Sequence, residues 1–457
     1  MDVLNQWIAE AASFVWGLPL LFLLIGGGLC LLVYSRFLPF KYFGHAIQVL
    51  RGKYDNPNDP GEISHFQALM TALSSTVGMG NIAGVAVAIA VGGPGAVFWM
   101  WISALVGMST KFFTCTLAVL FRGKDDSGTL QGGPMYFITE GLGKAWKPLA
   151  VFFSIAGLVG ALPVFNVNQL TQAVNDILLV PNGIEKGLTT DLSIGIVLAV
   201  ITGIVILGGL NRISKTASKL VPAMVVLYFI AVLAILFINA AEVPRYILLI
   251  FTDAFAANNY TGDPMFGGVL GALIVLGIRR GAFSNEAGIG TAPMAHGAAK
   301  TEEPIREGLV AMLGPFIDTV IVCTLTALCI LVTGVWQTTE ASGVTLTAKA
   351  FSDSIPGYGP YVLLVCIAVF SISSLFSYSY YGTKCLAFLF GTRHKHWYNY
   401  FYIASILIGA TTSLDLMINL IDTFFALMAI PTMLATLILA PKVMQRARQY
   451  FTSLNKM

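Results

Sequence analysis

Charged side chains are scarce in this sequence, and their scarcity excludes a soluble protein. Only 11% of the residues are Asp, Glu, Lys or Arg, whereas a soluble domain carries about a quarter. The net charge is only +3, and in a membrane protein the position of the positive charges matters more than their sum. We therefore expect a lipid bilayer around most of the chain, and no nucleic-acid partner.

The sequence also lacks the cysteine spacing of disulfide-rich proteins and the catalytic motifs of membrane enzymes. All six cysteines fall inside apolar stretches with no paired loop spacing, which argues against a disulfide framework. It contains no histidine–glutamate pair with zinc-site spacing, and a serine nucleophile would need a base beside it. We expect no enzyme activity and no cofactor other than an ion.

Apolar residues dominate the chain at 56% and group into stretches long enough to cross a bilayer. A hydrocarbon core about 30 Å thick requires about 20 apolar residues per helix, and about eleven such stretches occur. Their predicted ranges are 16–38, 66–91, 95–121, 149–180, 191–210, 218–240, 265–290, 307–335, 358–390, 397–414 and 416–440.

The positions of the positive charges predict the orientation. With the N-terminus outside, most of the 26 lysine and arginine residues lie in inner loops, as the positive-inside rule requires. Arg279 and Arg280 are counted among them, whereas Lys186, Arg245 and Lys349 stay outside. This predicts a multi-pass protein of the plasma membrane, the inner membrane in a Gram-negative cell, with a cytoplasmic C-terminus.

The helices after the first divide into two sets of five, and an odd number per set means that the sets are inverted. Inverted repeats with interrupted helices at matching positions are typical of secondary transporters, with the binding site near the midplane. The predicted organisation is an extra helix and loop in 1–62, a first repeat in 63–240, an outer loop and second repeat in 241–440, and a basic cytoplasmic tail in 441–457.

Each repeat opens with a candidate interruption. The first is the run of small and polar residues at 74–84. The second is predicted within 267–281, after the outer loop, where five glycines lower the helix propensity. Glycine lowers helix propensity, and polar groups in lipid are costly unless they line a cavity. Close helix packing is the alternative explanation for such glycines. Those of the second run are Gly267, Gly268, Gly271, Gly277 and Gly281.

A broken helix offers what a zwitterionic amino acid needs in a dry cavity. Free N–H groups at the start of a half-helix bind a carboxylate, and free carbonyls bind an ammonium group or a hard cation. Met79, Gly80 and Asn81 are placed to donate. Ser74, Thr76 and Val77 are placed to accept.

Three further groups of polar residues lie within apolar stretches. The amides of Asn166, Asn168 and Gln169 are expected to face the cavity. The hydroxyls of Ser373 and Ser374 either complete a sodium site or bond back to their own helix. The sequence does not decide between these two.

Two acids in the second half remain ambiguous. Asp318 either couples ion movement or, as we favour, pairs with a buried donor such as Lys111. Glu286, with His296, either gates the inner exit by bonding Arg279 or Arg280 or, as we favour, caps a short helix.

Several long motifs, taken together, resemble the alanine/glycine:cation symporter family, whose members share the leucine-transporter fold. The resemblance covers about 64–440. The motifs are SSTVGMGNIAGVAVAI and GGPGAVFWMW within 74–101, QGGPMY at 131–136, RRGAFSNEAGIGTAPMAHGAA at 279–299, MLGPFIDTVIVCTLTAL at 312–328 and FSISSLFSYSYYG at 370–382.

The resemblance implies sodium-coupled symport of a small neutral amino acid by alternating access, with alanine or glycine first and D-alanine or serine as further candidates. It places sodium among Ser74, Val77, Phe370, Ser373 and Ser374. It places the substrate among Thr76, Gly78, Met79, Gly80, Asn81, Asn166 and Gln169, and a second ion, if there is one, at Asn81 and Thr76.

This chain departs from the family pattern at Tyr378, where a tryptophan is expected. It also departs in the segment Leu162–Phe165, which directly precedes the amide of Asn166. Proton coupling and a glutamine-type substrate remain alternatives. An ion channel is a remote one, because a pore needs a continuous polar lining.

Overall fold

The computed structural model describes residues 7, 10, 14–256, 269–339, 341 and 343–454. Outside these residues lie Gly267 and Gly268, part of the predicted outer loop, and the last three residues of the predicted tail. The described chain is almost entirely helical. The one two-stranded sheet in this part of the chain pairs β1 (Gly123–Lys124) with β2 (Leu130–Gln131) in antiparallel register.

The helices are numbered α1 to α17 in chain order. Those up to residue 256 are α1 (Leu18–Tyr34), α2 (Phe43–Leu50), α3 (His65–Thr76), α4 (Gly80–Gly92), α5 (Gly95–Leu120), α6 (Lys147–Gly160), α7 (Val164–Val174), α8 (Leu188–Ile206), α9 (Gly209–Ile238) and α10 (Val243–Asp253). Short turns of helix occupy Leu38–Lys41, Pro134–Tyr136, Phe137–Leu142, Lys144–Trp146, Asn175–Leu179 and Val180–Asn182.

The second half of the described chain is also helical. It comprises α11 (Val269–Asn285), α12 (Thr291–His296), α13 (Pro304–Val332), α14 (Gly343–Ser354), α15 (Gly359–Phe390), α16 (Lys395–Thr411) and α17 (Leu414–Leu454). Short turns occupy Val335–Thr338 and Thr392–His394. The last helix continues through Pro441, so the described part of the predicted tail extends the final span as helix.

Seven helices of the described chain are long and apolar enough to cross a membrane, or eight when a bent pair counts as one. Each of the eleven predicted stretches contains helix, but α1 and α16 are shorter and α11 and α12 are separated by a break. The helices α8 and α9 expose large apolar side chains along their length, as a lipid-facing surface does. The predicted multi-pass helical fold is confirmed, whereas the count of eleven stays a prediction.

The first predicted break is present. Ser64 and Gln67 form a capping box that starts α3, which satisfies the first free N–H groups of the helix. The helix stops at Thr76, and α4 leaves at an angle of 53°. Gly78 donates its N–H to Asn81 Oδ1 over 2.9 Å, so a side chain replaces a lost helical hydrogen bond.

The second break lies further along the chain than the sequence suggested. The helix α11 runs without interruption through Gly271, Gly277 and Gly281. A Cβ built on Gly277 would meet Trp99, and one built on Gly281 would meet Ser103. These glycines serve close packing. The chain breaks at 286–290, where Glu286 has φ 53° and both Gly288 and Gly290 have positive φ.

Arg279 and Arg280 do not lie in an inner loop, as the charge count assumed. Both belong to α11, ahead of the break, and α12 follows the break and ends at His296. Arg279 forms an ion pair with buried Asp422 of α17, and its guanidinium lies over the ring of Trp16. Such pairing lets a positive charge remain within a membrane span.

Candidate functional site

A small cavity lies between the two breaks. Its volume is about 20 Å³, which is more than the 10–15 Å³ that one water requires and little more than that. In this structure the cavity therefore has room for only about one water molecule. Its lining comprises Ser75, Thr76, Gly78, Met79, Gly80, Gly160, Leu162, Phe165, Asn166, Phe283, Glu286, Tyr378 and Ile421.

The first break supplies the polar wall predicted from the sequence. Thr76 is 3% exposed, and among the described residues its hydroxyl has no hydrogen-bond partner. Buried polar groups are almost always paired, so this hydroxyl is free to bind a ligand. Gly80 starts a half-helix, whose first N–H groups lack intrahelical partners and carry the positive end of the helix dipole.

Glu286 brings a carboxylate to the same cavity, a position that the sequence-based interpretation did not favour. Its left-handed backbone is strained for a non-glycine residue. The carboxylate accepts hydrogen bonds from Tyr378 and Thr291 and does not bond Arg279 or Arg280. The signal for this position was the polar Asn285–Glu286 pair directly before the Gly288 and Gly290 turn.

Asp318 is fully buried beside the first break. Its carboxylate accepts hydrogen bonds from Asn81 (2.8 Å), Ser284 (2.7 Å) and Thr319 (2.7 Å). The predicted pairing with Lys111 is wrong, because the partners of this carboxylate are an amide and two hydroxyls. Among the described residues Lys111 makes no ion pair with an acid, and its side chain is buried.

The predicted sodium residues meet where α3 ends against α15. Ser74 donates to the carbonyl of Ser373 over 2.5 Å, and a Cβ built on Gly78 would lie 2.6 Å from Ser374 Oγ. Both serine hydroxyls also bond back to the carbonyl of Phe370, at 2.8 and 3.1 Å. The structure shows the bonds back to the same helix, and the sodium site at these serines stays a prediction.

The predicted substrate residues divide into two groups. Thr76, Gly78, Met79, Gly80 and Asn166 line the cavity. Asn81 and Gln169 are not part of the described lining. The side chain of Asn81 accepts a hydrogen bond from the N–H of Gly78, and that of Gln169 bonds Asn168 and Gln172. Asn168 donates to the carbonyl of Thr412 over 2.6 Å, away from the cavity.

Three of the residues that depart from the family pattern face the cavity. Tyr378, Leu162 and Phe165 line it. The ring of Phe165 packs edge-on against Phe283 at a centroid distance of 5.6 Å, a favourable aromatic geometry. These side chains form an apolar wall opposite the broken turns and limit the space for a substrate side chain.

A family model described as the sodium:alanine symporter family matches residues 1–457. The chain belongs to this family. It is therefore a sodium-coupled symporter and not an enzyme, as the sequence predicted, with sodium as the coupling ion.

Similar proteins support the same assignment along nearly the whole chain. The sodium/alanine symporter AgcS of Methanococcus maripaludis is 40% identical over 96% of this chain and 95% of its own. A probable sodium/glutamine symporter, GlnT of Bacillus subtilis, is 33% identical over 98% of this chain and 91% of its own. The names of these two relatives thus give different amino acids as the substrate, alanine and glutamine.

A solved structure shows the fold. The crystal structure of MhsT in complex with L-phenylalanine matches 85% of this chain and 99% of its own, with a TM-score of 0.56 and 14% identity. The symporter therefore has the leucine-transporter fold that the resemblance to the symporter family implied. At this identity the likeness concerns the fold alone.

Proposed function

We propose that this symporter takes up alanine or glycine together with sodium by alternating access. The observation that carries the proposal is the cavity between the two breaks, whose lining includes both a carboxylate and a helix start. A zwitterion needs opposite charges at its two ends when it leaves water. Glycine and alanine are the smallest amino acids that meet this requirement.

The geometry favours one orientation of the substrate. Its carboxylate faces the N–H groups at Met79 and Gly80, and its ammonium group faces Glu286, the one acid in the described cavity lining. The hydroxyl of Thr76 and the amide of Asn166 complete the polar wall. The substrate side chain then points at Phe165, Phe283 and Tyr378, where a methyl group fits better than a longer side chain.

Sodium is proposed to bind between α3 and α15, at Ser74, Val77, Phe370, Ser373 and Ser374. Hydroxyl and carbonyl oxygens suit a hard cation. Entry of one sodium ion at about 100 mV contributes about 2.3 kcal/mol before any concentration gradient, which is enough for uphill uptake. Asp318, with Asn81, is proposed as a second coupling position for sodium or a proton.

The Ser373→Ala, Ser374→Ala double variant should require at least about tenfold more sodium for half-maximal uptake. Each hydroxyl lost from a charged partner costs about 1.5 kcal/mol or more. Sodium titration of alanine uptake measures this. The control is Ser379→Ala, which removes a similar back-bonded hydroxyl (2.7 Å to Phe376) from the same helix. Equal sodium requirements in the double variant and the control would exclude the serine site.

Uptake of labelled alanine into liposomes that hold the purified protein tests the function. We expect accumulation with an inward sodium gradient and none with potassium in its place. Competition by glycine but not by glutamine would support the small cavity. Accumulation with a proton gradient alone would instead favour proton coupling, and stronger competition by glutamine would favour a GlnT-like substrate. Sodium-independent flux without accumulation would indicate a channel.

The orientation follows from the charge distribution. We propose a plasma membrane location, with the N-terminus outside and the C-terminus in the cytoplasm. The positive charges that remain in described loops, such as Arg122 and Arg393, still support it. Residues 63–240 and 241–440 are proposed to form the two inverted repeats, because a broken helix opens each of them.

A further inference from the structure

One face of α9 carries positive charge in its first turns and apolar side chains beyond them. The residues of this face follow one another at intervals of three or four positions, which places them in a single stripe along the helix. They are Arg212, Lys215, Lys219, Ala223, Val226, Ile230, Leu233 and Phe237, and all of them are exposed. The stripe changes from basic to apolar between Lys219 and Ala223.

The basic part of the stripe borders a shallow groove of about 370 Å³, which we call the basic groove. Its lining comprises Arg212, Lys215, Thr216, Lys219, Leu220 and Ala223. Between residues 192 and 241 the sequence contains these three basic residues and no acid. The charge of the groove is therefore not neutralised by any residue of α9.

Other basic residues at this end of the bundle are held by the protein itself. Arg446 forms an ion pair with Glu303 at 2.9 Å, and Arg122 donates to the carbonyl of Gly297 over 2.8 Å. The side chains of the three basic residues of the groove have no such partner within the described part of the chain. They are free to bind a ligand of opposite charge.

The dimensions of the stripe match one phospholipid molecule. A helix rises 1.5 Å per residue, so Arg212 and Lys219 lie about 10 Å apart along the axis, which is comparable to the polar layer on one side of a bilayer. The stretch from Ala223 to Leu233 covers about 15 Å, half of a hydrocarbon core about 30 Å thick. Within it, Val226 and Ile230 are 57% and 61% exposed. The basic groove thus lies at headgroup depth, and the apolar part of the stripe lies at the depth of an acyl chain.

We propose that this stripe binds an anionic phospholipid, with its phosphate group among Arg212, Lys215 and Lys219 and an acyl chain along the apolar part. Basic clusters beside a membrane helix attract anionic headgroups. On the proposed orientation the lipid belongs to the cytoplasmic leaflet. No residue of the stripe lines the substrate cavity, so the site is separate from the proposed transport.

Thermal unfolding of the purified protein in a neutral detergent measures this binding, because a ligand that binds only the folded state raises Tm. We expect phosphatidylglycerol to raise Tm by at least about 3 °C, and phosphatidylcholine with the same acyl chains by less than about 1 °C. In the Arg212→Gln, Lys215→Gln, Lys219→Gln variant the phosphatidylglycerol shift should fall to the phosphatidylcholine value. Equal shifts by the two lipids in the original protein would overturn the proposal.

The matched control removes one arginine and two lysines elsewhere. Lys144, Lys147 and Arg393 are exposed, and the Lys144→Gln, Lys147→Gln, Arg393→Gln variant should keep the full phosphatidylglycerol shift. An equal loss in both triple variants would show a response to net charge alone and contradict the site.

A single variant keeps the test decisive if the first triple variant does not fold. Each lysine near an anionic headgroup changes the affinity by about fivefold. Lys215→Gln should therefore raise the phosphatidylglycerol concentration that gives half of the Tm shift by at least about threefold. An unchanged concentration would exclude the basic groove.

The same groove would attract a free phosphate ion, so the lipid needs its own test. Inorganic phosphate and glycerol 3-phosphate should leave Tm unchanged at the concentration where phosphatidylglycerol gives half of its shift, because neither contacts the apolar part of the stripe. Equal shifts would make this a site for free anions and overturn the lipid. Native mass spectrometry should count one more bound phosphatidylglycerol on the original protein than on the Arg212, Lys215, Lys219 variant, and equal counts would contradict the proposal. Neither measurement uses transport, so a failure of the proposed function is recognised separately.

Discussion

Replacement of Glu286 by glutamine should reduce alanine uptake at limiting substrate by at least about a hundred-fold. The carboxylate is 1% exposed and lines the cavity, where it is proposed to balance the substrate ammonium group. Removing one partner of a buried charge pair costs about 3 kcal/mol or more, which is about a hundred-fold in affinity. Initial rates over a range of alanine concentrations measure the loss.

One variant tests the hydrogen bond that Tyr378 donates to Glu286, and a second serves as a control for the loss of an acid. Tyr378→Phe removes one hydrogen bond to the carboxylate but keeps its charge, so we expect a loss about tenfold smaller than that of the glutamine variant. Glu242→Gln removes an exposed acid and should leave uptake unchanged. A folded Glu286→Gln protein with the original half-saturating alanine concentration would return Glu286 to the capping role that the sequence favoured.

Gly78→Ala should raise the sodium concentration for half-maximal uptake by at least about tenfold. The added Cβ would lie 2.6 Å from Ser374 Oγ and 3.4 Å from Asn166 Oδ1. The first distance is too short for any real contact, so the hydroxyl has to turn away from the proposed ion. The loss of one oxygen from a charged partner costs about 1.5 kcal/mol or more. Sodium titration at saturating alanine measures the change.

Gly80→Ala provides the control in the same turn. Its Cβ would meet Ser284 Cα at 3.5 Å and the Phe283 ring at 3.7 Å, which are ordinary contacts. We expect an unchanged sodium requirement, with any effect confined to the half-saturating alanine concentration. Equal sodium requirements in both glycine variants would show that the α3–α15 contact does not hold the ion.

The positions of the two breaks illustrate what a sequence can predict. The first was predicted correctly because glycines coincide with hydroxyl and amide side chains, and close packing does not need those. The second was misplaced because the helix runs unbroken through Gly271, and Gly277 and Gly281 pack against a neighbouring helix. A glycine in a packing face and a glycine in a break look alike until the neighbours are known.

The polar residues show the same limit. Asn166 and Gln169 are three positions apart on one helix, yet only Asn166 lines the cavity, because helix rotation is set by packing. Glu286 resembled a helix cap, but its left-handed backbone turns the carboxylate toward the cavity. Neither backbone dihedral angles nor helix rotation can be read from residue types.

The sequence by itself determined that the chain spans a membrane repeatedly, that its first repeat opens with a broken helix and that it belongs to a symporter family. These properties follow from local composition and motifs, since each apolar stretch needs lipid and each polar run needs a cavity. Only the tertiary structure decided which polar groups meet. Contacts such as Ser74 with Ser373, or Asn81 with Asp318, join residues hundreds of positions apart through helix packing.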